Sequence, residues 1–323
     1  MPQSSPSALI IRLDAIGDAL ALTPLLAALR SAAIPTDVVL RPGNAGIFSS
    51  RAARASVVGD FDLRSSKPAN LTAIERVGRE LATARYTHAL VATEDPSGYR
   101  LALAAEVPVR IGFSNAWGKP AKTLWSRRFL TQRVYRSAGL DRRALHECDV
   151  LFRLGRVLLG AAARPTRDPA ELRPLVLEGE PLGDDRIAIQ ITDKWERLGI
   201  QLDDVVELIR RLVAFGTLRL FTSASEGAYA ARIASATGLE IERFDETAPW
   251  KSAIAAAPGL VAPDSGALHV AGMVGTPVVG VFPPSRHYAL QVARWAPWAA
   301  PHRIVRADGN WPARAADALA QLL

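Results

Sequence analysis

The chain has 323 residues, 49% apolar and 22% charged, an ordinary composition for a folded protein that excludes general disorder. Its 39 basic residues outnumber 32 acidic ones, and the resulting charge of +7 favours anionic ligands and surfaces. One cysteine, Cys148, excludes an intrachain disulfide and a multi-cysteine metal site and suits a reducing compartment.

Short apolar runs alternate with amphipathic stretches, the pattern of parallel sheets. In the first half, strands are predicted at Leu9–Ile11, Val38–Leu40, Val57–Val58, Ala89–Val91 and Val109–Ile111. Helical spacing covers Leu71–Ala84 and His146–Leu159, with Cys148 read as a core residue. The first strand stops at Arg12, and a turn with Asp14, Gly17 and Asp18 leads into Leu22, Leu25, Leu26 and Leu29 at helical spacing. Pro24 either kinks that helix or stands in the first turn of a new one that Thr23 caps. A stretch rich in Pro, Gly, Arg and acids follows the long helix and marks a linker, set at 166–185.

The alternation then restarts, with strands at Ile187–Ile191, Leu218–Phe221, Gly259–Ala262 and Val278–Phe282. Helices are predicted at Leu202–Phe215, Glu226–Thr237, Ser265–Val274 and Ala313–Leu323. The expected fold is α/β: two Rossmann-like domains, 1–165 and 186–310, facing a cleft, followed by a terminal helix at 311–323. The opening Met1–Ser7 lacks the features of a signal peptide, and no apolar run reaches the ~18 residues of a membrane span. A cytoplasmic protein is expected, one able to touch a membrane surface.

Four turns carry candidate chemistry, all at the carboxyl ends of predicted strands. The first holds two carboxylates and one glycine, a poor phosphate cradle but a suitable place for proton chemistry. Asp264-Ser265-Gly266 opens a helix of small residues, and helix amides beside a hydroxyl attract a diphosphate, with His269 one turn on. Lys194, after Thr192, can neutralise a phosphate, and Glu226 can accept from ribose hydroxyls. Each also fits a plain structural role: Asp264 as a helix cap, His269 as a packed histidine, Lys194 as a solvated lysine, Glu226 as a first-turn acid. Asp14 is read as a capping residue. No Asp-x-Asp metal motif, zinc-finger spacing or helix-turn-helix signature stands out, so neither a metal nor a nucleic-acid partner is expected.

In combination these motifs resemble glycosyltransferase family 9, the lipopolysaccharide heptosyltransferases. Arg12-Leu-Asp-Ala-Ile-Gly-Asp18 with Thr23-Pro24 resembles the family's opening, and Asp264–His269 with Gly275-Thr-Pro277 its nucleotide-sugar motif. Arg110-Ile-Gly-Phe113, His146-Glu147 and Arg294-Trp-Ala-Pro297 also match in order. The resemblance implies the glycosyltransferase B fold, with an acceptor-binding N-terminal domain, a donor-binding C-terminal domain and a final helix that packs back on the N-terminal domain. It implies metal-independent, inverting transfer of a sugar, by default heptose from ADP-heptose, onto a lipopolysaccharide core or related cell-surface glycan. The enzyme would work in the cytoplasm, at the inner membrane surface. Asp18 matches the catalytic aspartate, with Arg12, Asp14 and Gly17 as acceptor-side or turn support. Thr192, Lys194, Glu226, Asp264, Ser265, Gly266 and His269 match the donor site. Two segments depart from the family pattern: Glu196 after Trp195, and Phe282-Pro-Pro-Ser-Arg286. Both fall near the expected donor site.

Overall fold

A computed structural model of the chain describes residues 5–59, 61–62, 65–114, 120–136 and 145–323. It divides into two units, Met1–Thr166 and Arg167–Leu323.

The N-terminal unit holds strands β1 (Ala8–Arg12), β2 (Thr36–Leu40), β3 (Ala55–Val58), β4 (His88–Val91), β5 (Val109–Ser114) and β6 (Gln132–Tyr135). Its helices are α1 (Ile16–Leu20), α2 (Thr23–Ser31), α3 (Pro68–Ala82), α4 (Pro96–Ala104), α5 (Pro120–Ser126) and α6 (Glu147–Leu159). The six strands form one parallel sheet in the order β3-β2-β1-β4-β5-β6. All five residues of β1 are buried, because a central parallel strand is covered on both faces. Leu9, Ile11, Val39, Ala89 and Val91 join Ile74, Val77 and Leu81 of α3 and Tyr99 and Leu101 of α4 in one core.

The two readings of Pro24 resolve in favour of two helices. Pro24 lies in the first turn of α2, where a missing N–H costs no hydrogen bond. Thr23 does not cap that helix; its hydroxyl donates to Leu20 O at 2.6 Å and ties α2 to the end of α1. Gly17 is an ordinary residue of α1 and has no positive φ, so the turn after β1 does not depend on glycine.

The C-terminal unit runs α7 (Pro169–Val176), β7 (Ile187–Gln190), α8 (Lys194–Arg197), α9 (Leu202–Val213), β8 (Leu218–Ser223), α10 (Gly227–Thr237) and β9 (Ile241–Phe244). It continues with α11 (Thr247–Ala256), β10 (Leu260–Pro263), α12 (Gly266–Val274), β11 (Val278–Phe282), α13 (Tyr288–Trp295), β12 (His302–Arg306) and α14 (Trp311–Ala320). These strands are also parallel, in the order β12-β11-β10-β7-β8-β9.

One expectation changes here. The stretch read as a linker contains α7, which packs on α12. Arg173 Nη1 donates to Val274 O at 3.1 Å, and the buried Lys251 donates to Val176 O at 2.5 Å. Burial pushes the Lys251 ammonium down to about 8. The final helix places Trp311, Ala315, Ala316 and Leu319 in the C-terminal unit's core, against α9 and the sheet. Its apolar stripe is spent there, and the Trp311 ring stacks on Trp195 at 5.8 Å.

Trp311 is 2% exposed. Trp311→Ala is therefore expected to cost the C-terminal unit about 3–5 kcal/mol. Denaturant unfolding followed by tryptophan fluorescence measures this, and a loss below about 1 kcal/mol would show that the helix is only loosely attached.

Candidate active site

In both sheets the chain leaves a central strand on one side and later returns on the other. The reversal falls between β1 and β4 in the first unit and between β7 and β10 in the second. Turns at such a point diverge and open a crevice at the carboxyl ends of the strands, where ligands bind in sheets of this kind.

In the N-terminal unit the switch point is organised by Arg12, which is 2% exposed. Its guanidinium donates to Ala92 O just beyond β4, to Asp18 O at 3.1 Å from Nε, and to Asp18 Oδ1 at 2.9 Å from Nη2. Asp14 Oδ2 stands 3.4 Å from Nη1, and Glu147 Oε1 3.5 Å from Nη2. The second Asp18 oxygen accepts from the Ala15 amide at 3.2 Å. Asp18, not Asp14, thus satisfies the start of α1, which corrects the capping role given to Asp14. The Asp18 side chain remains 30% exposed, so the oriented carboxylate still meets solvent.

Burial is the largest influence on the Asp18 carboxyl and pushes it above the ordinary carboxylate range. Arg12 pulls it down, while Asp14 and Glu147 push it up further. A five-residue helix has little dipole to favour the anion.

In the C-terminal unit, the Thr192 hydroxyl donates to Glu226 Oε1 and accepts from the Lys194 amide at 3.1 Å. Ser223 donates to Glu226 Oε2 at 3.0 Å. Burial raises the Glu226 carboxyl, and the two hydroxyls partly offset that rise. Across the switch point, burial also raises Asp264, opposed by the Lys194 charge. The N-cap of α12 is Ser265, in extended conformation, with no side-chain capping bond. Asp264 is therefore not the expected cap. The Ser265 hydroxyl is buried without a partner, beside first-turn amides that have no acceptor within their own helix. His269 lies 3.8 Å from Asp264 and edge-on to Trp295. Thr192, Lys194, Glu226, Asp264, Ser265, Gly266 and His269 all lie at the carboxyl edge of this sheet.

The supporting motifs have structural work. Arg110 binds the carbonyls of Phe129 and Val107, both at 2.6 Å. The Arg294–Pro297 segment leads into a backbone pass over α12 at Gly272, where a Cβ would stand 2.9 Å from Trp298 N. His146 caps α6 by accepting from the Cys148 amide. Glu94, Lys122 and Arg136 escaped sequence reasoning, and only tertiary structure joins them to this site: Arg136 Nη2 holds both oxygens of Glu147, at 2.7 and 2.9 Å. Among the described residues, no group of three or more His, Cys, Asp or Glu forms a metal-holding cluster, and no helix is long and apolar enough to cross a membrane.

The architecture is that of the B-type α/β glycosyltransferases, and solved structures share it. E. coli heptosyltransferase WaaC with ADP superposes with a TM-score of 0.73 at 19% identity, covering 98% of each chain. A family 9 glycosyltransferase from Veillonella parvula gives 0.70 at 17% identity, covering 95% of this chain and 87% of that one. A putative UDP-N-acetylglucosamine 2-epimerase from Listeria monocytogenes gives 0.55 at 11%, covering 99% and 88%. Residues 206–321, within the C-terminal unit, match the sequence profile of glycosyltransferase family 9 (heptosyltransferase). No curated protein matches the chain in sequence. The family match and the shared fold support a glycosyltransferase.

A raised Asp18 also bears on stability. Above its unfolded pKa of about 3.9 the folded protein binds more protons than the unfolded chain, so this residue's contribution falls as pH rises through the window between the two values. Asp18→Asn is expected to raise Tm at about pH 7 and to lose that advantage below about pH 4. Calorimetry at both pH values tests this, and a lower Tm for the variant at neutral pH would contradict it.

Proposed function

We propose that the chain is an inverting, metal-independent glycosyltransferase. Its donor is a nucleotide diphosphate sugar, by family resemblance ADP-heptose. Its acceptor is a lipopolysaccharide core or related anionic glycan, met at the cytoplasmic face of the inner membrane. The fold alone does not select this activity, because an epimerase shares it. The observation that carries the reading is Asp18: a carboxylate held by a buried guanidinium and a backbone amide, open to solvent, with its proton affinity raised by burial. Such a group is suited to general base catalysis.

The acceptor oxygen attacks the anomeric carbon as the bond to the diphosphate oxygen breaks on the opposite face. The hydroxyl proton passes to Asp18, and the leaving diphosphate takes the electron pair. Lys194, the unpartnered Ser265 hydroxyl and the first amides of α12 meet that growing charge. Glu226 receives the ribose hydroxyls in place of Thr192 and Ser223, and His269 supports the turn through Asp264. Glu196 pairs with Arg232 at 2.8 Å, so the departure after Trp195 is accommodated on the surface.

Asp18→Asn is expected to lower kcat by at least about 10²-fold while leaving ADP affinity unchanged in titration calorimetry. Near-normal turnover would remove Asp18 from the mechanism. Binding of ADP with no transfer by the native protein would favour a non-catalytic nucleotide-sugar binder. Lys194→Ala is expected to weaken ADP binding about tenfold or more. EDTA should leave transfer unchanged, and a strict need for added divalent metal would overturn the diphosphate assignment.

A further inference from the structure

Glu147 opens α6 and is 0% exposed. A fully buried carboxylate is costly unless charged partners surround it. Arg136, the residue after β6, grips both of its oxygens. On its other side Glu147 Oε1 faces Arg12 Nη2, the same nitrogen that donates to Asp18 Oδ1. One guanidinium nitrogen is thus shared by a half-buried carboxylate and a fully buried one. Among the described residues, the charged groups facing this centre include Arg12 and Asp14 from the end of β1 and its turn, Asp18 from α1, and Arg136 from the end of β6. Glu94, after β4, lies 3.7 Å from Arg136 and accepts from Lys122 of α5 at 2.9 Å.

We propose that Glu147 is a positioning residue for Asp18, which competes for Arg12 and so fixes both the orientation of the Asp18 carboxylate and its readiness to take a proton. The proposal rests on Asp18 being the general base. Two effects act with the same sign. The Glu147 charge repels the Asp18 anion directly, and it draws part of the Arg12 charge away from Asp18. Arg136 works in the opposite sense, because it neutralises Glu147 and leaves Arg12 free for Asp18. A purely structural ion pair would give no such opposition.

The Asp18 carboxyl can be followed by carbon-13 NMR in the full chain, with its signal assigned by its loss in Asp18→Asn. In Glu147→Gln the titration is expected to move down by about one pH unit; in Arg136→Gln it is expected to move up. The acid limb of kcat should follow the same two directions, with KM for the nucleotide sugar unchanged. Shifts of opposite sign support the coupling. An unmoved titration, or shifts of the same sign in folded variants, overturns it. If Glu147→Gln fails to fold, Arg136→Gln decides alone: an upward shift supports the proposal and no shift overturns it. A native protein with no transfer at any pH overturns the transferase reading instead, and the NMR titration still judges the coupling.

Discussion

A guanidinium without solvent sits at the end of the most buried strand in the N-terminal unit, and the local structure follows from satisfying it. Arg12 joins the tip of β1 to the backbone beyond β4, to the first turn of α1 and to the first turn of α6. A buried ion cluster of this kind adds little net stability compared with apolar packing. Removing a fully buried member, Arg12 or Glu147, however, strands a charge and costs about 3–5 kcal/mol. The arrangement therefore specifies one geometry of the turn more than it strengthens the fold. That geometry presents Asp18 to solvent with both oxygens already engaged.

The two units use one topology for different chemistry. In the first, the switch point is lined with acidic and basic side chains that pair with one another, which suits a proton acceptor. In the second, it is lined with hydroxyls, a helix terminus and small residues, which suits an anion. Lys194 and Asp264 face each other electrostatically across that point, so a bound diphosphate would claim the lysine from the aspartate.

The central strands were legible because strands buried on both faces are unbroken apolar runs. The edge strands β6, β9 and β12 were not: Gln132 and Arg133, Glu242 and Arg243, and Arg303 and Arg306 interrupt them with the charges that edges carry. Pro169 and Pro174 hid α7 inside what reads as a linker. At the site, sequence pattern located the turns after β1, β7, β8 and β10 but not the segments after β4 and β6 that carry Glu94 and Arg136, and the resemblance preferred Asp18 to Asp14. What it lacked was the allocation of partners. A glutamate in a first helical turn reads as a dipole-favoured surface acid, and nothing local to Glu147 reports that two arginines enclose it. The cap of α12 was assigned one residue early for the same reason, since Asp264 and Ser265 are both good caps by type.

The Trp195–Trp311 stack carries a further consequence. Trp195 follows Lys194, and its indole nitrogen donates to Gln190 O at 3.0 Å, at the end of β7. The last helix of the chain is thereby a wall of the core beneath the lysine turn. Because energetic linkage is reciprocal, a ligand that stabilises that turn through the stack would also disfavour the opening of α14, and fraying of α14 would weaken the turn by the same free energy. Amide hydrogen exchange in residues 311–320 would then act as a remote gauge of occupancy at Lys194.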